Sequence, residues 1–149
     1  MRTVHDAAGG DAGLLALARA WHARCLADPV ASHPFGHAGL HPQHVERLAA
    51  YWGEALGGPP AYTETMGDEA GVLRMHAGNG SHRELDALVV ELFDGAMDDV
   101  GLTEQPLRGV LHDYFAWSTH RMGQHPDSPD SVDDDARMPH WGWDGPVTR

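Results

Sequence analysis

Apolar residues recur at three-to-four spacing in four stretches of this chain, and each stretch reads as an amphipathic helix. In the first, Leu14, Leu17, Ala18, Trp21, Cys25 and Leu26 share a face. The break Ala7-Ala8-Gly9-Gly10 and the cap residue Asp11 precede it, and Pro29 ends it. The segment from Ser32 to Pro42 holds Pro34, Gly36, Gly39 and Pro42, which predicts a loop with short helical turns. A second helix opens near Pro42, places Val45, Leu48, Ala49, Trp52 and Leu56 on one face, and stops at Gly57-Gly58-Pro59. The stretch from Pro60 to Gly80 is irregular, with a short helix expected within Asp68 to Ala77. A third long helix is expected from a capping box, Ser81 with Glu84, through the stripe Leu85, Leu88, Val89, Leu92, Phe93, Ala96 and Val100. The fourth runs from Thr103 or Pro106 with Leu107, Val110, Leu111, Tyr114, Phe115 and Ser118 inward.

No β pattern competes, so the fold class is all-α, with helices pairing to bury their stripes. Beyond Gly123 the chain turns polar and acidic, with Asp127, Asp130 and Asp133 to Asp135, and residues 123–137 are expected to be loosely held. The tail ends in Trp141-Gly142-Trp143. Two indoles in such a segment predict docking onto the helical body, because burial of each contributes roughly 1.5–3 kcal/mol.

Composition narrows the function classes. At 149 residues the chain suits one domain, and its net charge of −12 argues against nucleic acid. All ten cations are arginine. No apolar run approaches a bilayer span, so no membrane partner is expected. The start of the chain lacks a signal-like apolar stretch, and Cys25 is the single cysteine, which together point to a reducing cytoplasm. Cys25 lies on an apolar face and reads as a buried, inert thiol.

The candidate chemistry is in the histidines, of which there are twelve. His76 lies on a short segment between two long apolar-faced helices, where an imidazole nitrogen can reach the groove between them and hold an iron axially. His82, just inside the next helix, is its nearest rival. His33, His37, His41 and His44 are spaced as if along one helical face and could bind a divalent metal, although the intervening prolines and glycines oppose a continuous helix. His22 neighbours Trp21 and falls partly toward the core. No phosphate loop, serine triad or paired carboxylates stand at useful spacing.

One ordered set of motifs is fairly specific: Gly9-Gly10, Gly57-Gly58-Pro59 followed by Tyr62-Thr63-Glu64, and Leu73-Arg74-Met75-His76-Ala77. On these, residues 4 to 122 resemble the group II truncated haemoglobins, the two-over-two helical globins of bacteria and plants. The resemblance implies a truncated globin domain over 1–123, followed by an acidic tail over 124–149, and a haem b cofactor with its iron. It implies His76 as proximal iron ligand, Phe35 as an aromatic packing on the haem, Leu48 and Trp52 lining the distal side, and His22 at the place of a distal tyrosine. Leu88 falls where group II members carry a tryptophan. Arg74 suits the haem's carboxylates. Three departures stand out: His22 for tyrosine, Leu88 for tryptophan, and Gly78-Asn79-Gly80 for an expected Pro-Phe.

The partners implied are a diatomic gas ligand and, for redox turnover such as peroxide or nitric oxide chemistry, a reductase, with monomer and homodimer both open. The alternatives are a haem-free globin-fold structural or interaction protein and a metal-dependent enzyme built on the His33 to His44 cluster.

Overall fold

The computed structural model describes residues 2–36 and 41–147. Its helices follow in chain order: α1 (Val4–Ala7), α2 (Gly10–Ala27), α3 (His44–Ala55), α4 (Ala61–Thr65), α5 (Glu69–His76), α6 (Arg83–Asp99) and α7 (Leu107–Met122). A 3-10 turn at His33–Gly36 precedes α3, and another at Pro129–Ser131 follows α7. The long helices form two pairs, α2 with α3 and α6 with α7, and α2 lies on α6 to join the pairs. This is the all-α, two-layer arrangement that the stripes predict.

The stripes drive the assembly. Leu14, Leu17, Ala18, Trp21 and Cys25 of α2 are buried against Ala49, Trp52 and Leu56 from α3 and its end, Phe93, Ala96 and Met97 of α6, and Leu111, Tyr114 and Phe115 of α7. At the centre the Phe93 and Phe115 rings stack at 4.1 Å and 7°, with Trp52 edge-on to both and Trp21 edge-on to Trp52 and Phe115. Such edge-on and offset contacts follow the ring quadrupoles. The Trp21 indole donates to the Val89 carbonyl at 3.0 Å, which fixes α2 against α6. Arg24 pairs through two nitrogens with Asp99, at 2.6 and 2.8 Å, on the same seam. Cys25 is buried, and burial, with the nearby Asp28 charge, pushes its thiol up to about 12, so it is inert as expected.

A buried polar network crosses this apolar centre. Glu69, 1% exposed at the start of α5, accepts from the Tyr51 hydroxyl at 2.6 Å and from Arg121 Nε at 2.8 Å. Helices α3, α5 and α7 are thereby held at one carboxylate. Nearby, Glu54 caps α4 by accepting from the Thr63 amide and hydroxyl at 2.9 and 2.7 Å.

Several local expectations need correction. Leu26 is exposed rather than on the core face, because α2 is ending there. The Ser81 capping box does not form; α6 starts at Arg83 with His82 as its cap residue. Gly80, at φ +71°, turns the chain there, and its amide is engaged by the Pro126 carbonyl at 2.9 Å. The tail is not loose, since Val132 is buried and Gly78 donates to the His125 carbonyl at 2.8 Å. Trp141 docks as predicted, against Tyr114 and Trp117 of α7, and Trp143 Nε1 donates to the Arg2 carbonyl at 2.8 Å. A small antiparallel ladder, β1 (Trp141–Gly142) with β2 (Gly145–Pro146), closes the tail, a β element the sequence pattern does not signal.

The aromatic centre sets a stability expectation. Phe115→Ala removes a stacked ring from a site that cannot readily collapse, and should lower the unfolding free energy by about 3–5 kcal/mol in a urea titration. A loss under about 1 kcal/mol would mean that the stack is not the centre of the core.

Candidate functional site

Three helices of this core each carry an imidazole of interest: His22 and His44 are in ring contact, and His76 lies within electrostatic reach of His44. His76 ends α5, and the aspartate before that helix, Asp68, caps it by accepting from the Gly71 amide at 2.8 Å. His76 Nδ1 lies 2.8 Å from the Val72 carbonyl. A carbonyl can only accept, so Nδ1 carries the proton and the Nε2 lone pair is left to point outward. This bond fixes both tautomer and ring orientation.

The surroundings keep that imidazole neutral. His76 is exposed at the surface of the chain, yet desolvation by the protein around it lowers its pKa, against the raising effect of the Val72 carbonyl and with a smaller lowering from the neighbouring His82. His82, the rival candidate, is engaged otherwise: its Nδ1 contacts Asp86 Oδ1 at 2.7 Å.

His22 from α2 and His44 from the first turn of α3 meet edge to face, with ring centroids 5.5 Å apart and planes at 71°. Burial lowers the pKa of both. For His44, charge on His22, His76 or His41 adds to that lowering, which places it within electrostatic reach of both other members of the trio. Sequence reading missed His44 in this role. It grouped His44 with His33, His37 and His41 by spacing, whereas the partner that matters, His22, is on another helix.

The described members of that four-histidine grouping, His33, His41 and His44, do not form a metal site. His33 lies in the 3-10 turn, His41 precedes α3 with its Nδ1 accepting from the Gln43 amide, and His37 lies outside the described residues. Among the described residues no group of three or more histidines, cysteines or carboxylates is placed to hold a metal ion.

The other residues singled out are on α3, α5, α6 and the 3-10 turn. Leu48 on α3 and Leu88 on α6 are half-buried, each packed on the core with apolar surface remaining. Trp52 is enclosed, 3% exposed, among Trp21, Phe93 and Phe115. Phe35 falls in the 3-10 turn His33–Gly36, and its side chain lies outside the described residues. Arg74 pairs with Asp134 of the tail. A recess of about 250 Å³ between α2, α3 and α4 is lined by Asp11, Leu15, Glu46 and Ala50 among others, and none of the three imidazoles lines it.

A helix-borne neutral imidazole with a protonated, carbonyl-bound Nδ1 and a lone pair on Nε2 is a donor suited to iron, and the half-buried leucines Leu48 on α3 and Leu88 on α6 keep apolar surface of the kind an apolar macrocycle packs on. The donor set therefore fits a haem. A two-layer helical fold with such a histidine defines a globin-like protein, and the match to known proteins agrees. The chain belongs to the family described as Bacterial-like globin, whose pattern it matches over residues 3–120. Its fold is that of the group II truncated haemoglobins. The haemoglobin of the thermophilic phototrophic bacterium Chloroflexus aurantiacus is similar at 25% identity and a TM-score of 0.69, over 82% of this chain and 98% of that one. A tryptophan-to-leucine variant of the Bacillus anthracis group II truncated haemoglobin is similar at 21% identity and a TM-score of 0.71, over 89% of this chain and 98% of that one. The thermostable haemoglobin of Thermobifida fusca follows at 24% identity and 0.67, over 91% of this chain and all (100%) of that one. No curated protein matches the chain.

The trio also sets a pH dependence. His22, His44 and His76 titrate in the folded chain below their ordinary value of 6.5. Above that value both folded and unfolded chains hold them neutral and no penalty applies. As pH falls through 6.5 the unfolded chain binds protons first, so the fold loses stability down to the lowered folded values. The melting temperature of the haem-free chain should therefore fall as pH is lowered below neutrality, and less steeply in His44→Gln. Parallel pH profiles for the two proteins would contradict this.

Proposed function

We propose that this chain binds haem b noncovalently through His76 and presents His22 and His44 to a diatomic gas ligand. The observation that carries the reading is the 2.8 Å contact from His76 Nδ1 to the Val72 carbonyl, which leaves Nε2 as the free donor. Bound haem supplies the iron that takes up the gas and supports redox turnover of nitric oxide or peroxide with electrons from a reductase. Cys25 is the single cysteine and is buried, so the chain has no pair of thiols to attach a cofactor covalently.

The chain's own residues divide the work. The Val72 carbonyl orients the imidazole of His76 and raises its basicity. Desolvation keeps His76 neutral and able to donate its lone pair. His22 and His44, whose pKa values burial also lowers, are the neutral imidazoles we assign to the ligand side. Leu88 offers no hydrogen-bond donor, so ligand stabilisation rests on the two imidazoles rather than on an indole. The absence of a membrane-crossing helix among the described residues accords with a protein working in solution, for which we favour the cytoplasm.

One observation favours the haem-free alternative of a globin-fold interaction protein. Arg74, suited to a haem carboxylate, is already paired with Asp134. A visible spectrum of purified protein separates the two, since only the haem reading gives a Soret band that acid-acetone removes.

His76→Ala should abolish or greatly weaken haem uptake, while His82→Ala should retain it; the opposite pattern would move the site. A hydrogen bond to a buried ligand contributes about 0.5–1.5 kcal/mol, so His44→Leu and His22→Leu should each speed oxygen release several-fold in stopped flow. Unchanged release from both variants would make the pair bystanders.

A further inference from the structure

Helix α5 carries the key histidine and is only eight residues long, too short to be stable alone. Its orientation is therefore imposed by what packs on it. The element lying most closely on it is the 3-10 turn Pro129–Ser131 of the tail, not one of the long helices. This tail lies beyond the family-matched residues 3–120.

The tail grips α5 along its length. Val132, 5% exposed, packs with Ala70, Leu73 and Ala77 in an apolar cluster separate from the main core. Asp134 pairs with Arg74 in the middle of the helix. At the C-terminal end, directly after His76, Gly78 and Gly80 donate to the His125 and Pro126 carbonyls at 2.8 and 2.9 Å. Gly78 is at φ +77°, and a Cβ there would come within 3.3 Å of the Pro129 ring. Arg121 links this strap to the buried anchor at the other end of α5: its Nε binds Glu69, and its Nη2 reaches the Arg137 carbonyl at 3.4 Å. The far end of the strap is secured by Trp141 on α7 and Trp143 on the Arg2 carbonyl.

We propose that residues 124–137 are a strap that fixes α5 and so sets the direction and strength of the bond His76 makes to iron, with Val132 and Asp134 as positioning residues. The second half of this statement rests on the haem reading above; the first does not. Two features argue for positioning beyond general stability. The contacts concentrate on the helix that bears the ligand, and they include the backbone immediately following it.

The test uses the full chain with Val132→Asp, the milder Val132→Ala and Asp134→Asn. In hydrogen exchange, amides of 69–77 should exchange about tenfold faster in the Val132 variants, while those of α2 keep their wild-type rates. In the reduced, ligand-free haem protein the iron–histidine stretching band should shift or broaden, and haem transfer to an acceptor globin should speed several-fold. Exchange that is unchanged, or raised equally throughout the chain, would overturn the strap. Faster exchange in 69–77 with an unaltered iron–histidine band would overturn its effect on the bond. If Val132→Asp does not fold, Val132→Ala and Asp134→Asn decide by the same readings. A wild-type chain that takes up no haem defeats the functional reading, and the exchange measurement then decides on the strap alone.

Discussion

The bond between His76 Nδ1 and the Val72 carbonyl is the interaction on which the proposed chemistry depends. It costs the helix little, because the carbonyl one turn back is already directed along the axis near its C-terminal end. In return it removes the tautomeric freedom of the imidazole. A histidine free to exchange tautomers presents a lone pair at either nitrogen; this one presents it at Nε2. Desolvation then keeps the ring neutral, so geometry and electrostatics favour the same species.

A single side-chain bond can orient a ring only if the helix beneath it is itself fixed. The fold supplies this from three directions. Glu69 ties the start of α5 to Tyr51 and Arg121, Val132 covers its outer face, and the tail carbonyls hold the glycines after His76. The buried Glu69 carboxylate is expensive to desolvate, so its contribution lies in specifying where α5 sits rather than in raw stability. Elsewhere stacked and edge-on rings between α2, α3, α6 and α7 set the packing of the long helices, with the Trp21–Val89 and Arg24–Asp99 bonds adding to it on the α2–α6 seam.

Most of the helical frame could be read from the chain because stripes of three-to-four spacing determine burial directly. Leu111, Tyr114, Phe115 and Ser118 are buried as their spacing implies, and the short helix expected within 68–77 is found as Glu69–His76. Boundaries set by tertiary contacts could not be read this way. Ser81 has the sequence of a cap, but the tail's carbonyls claim the preceding backbone and shift the start of α6 to Arg83. The same limit hid His44, whose meaning depends on a ring contact with His22 on another helix. It also hid the strap: a lone valine amid aspartates was the available signal, and the acidic composition around Val132 pointed the other way. The match over residues 3–120 establishes the family and fold, while the roles of the individual histidines rest on local geometry.

The most direct test of the central bond is nitrogen-15 NMR of the imidazoles in the haem-free chain at neutral pH. The account predicts that His76 is neutral, with a protonated Nδ1 and an unprotonated, pyridine-like Nε2. A protonated Nε2, or rapid exchange between the two tautomers, would contradict it.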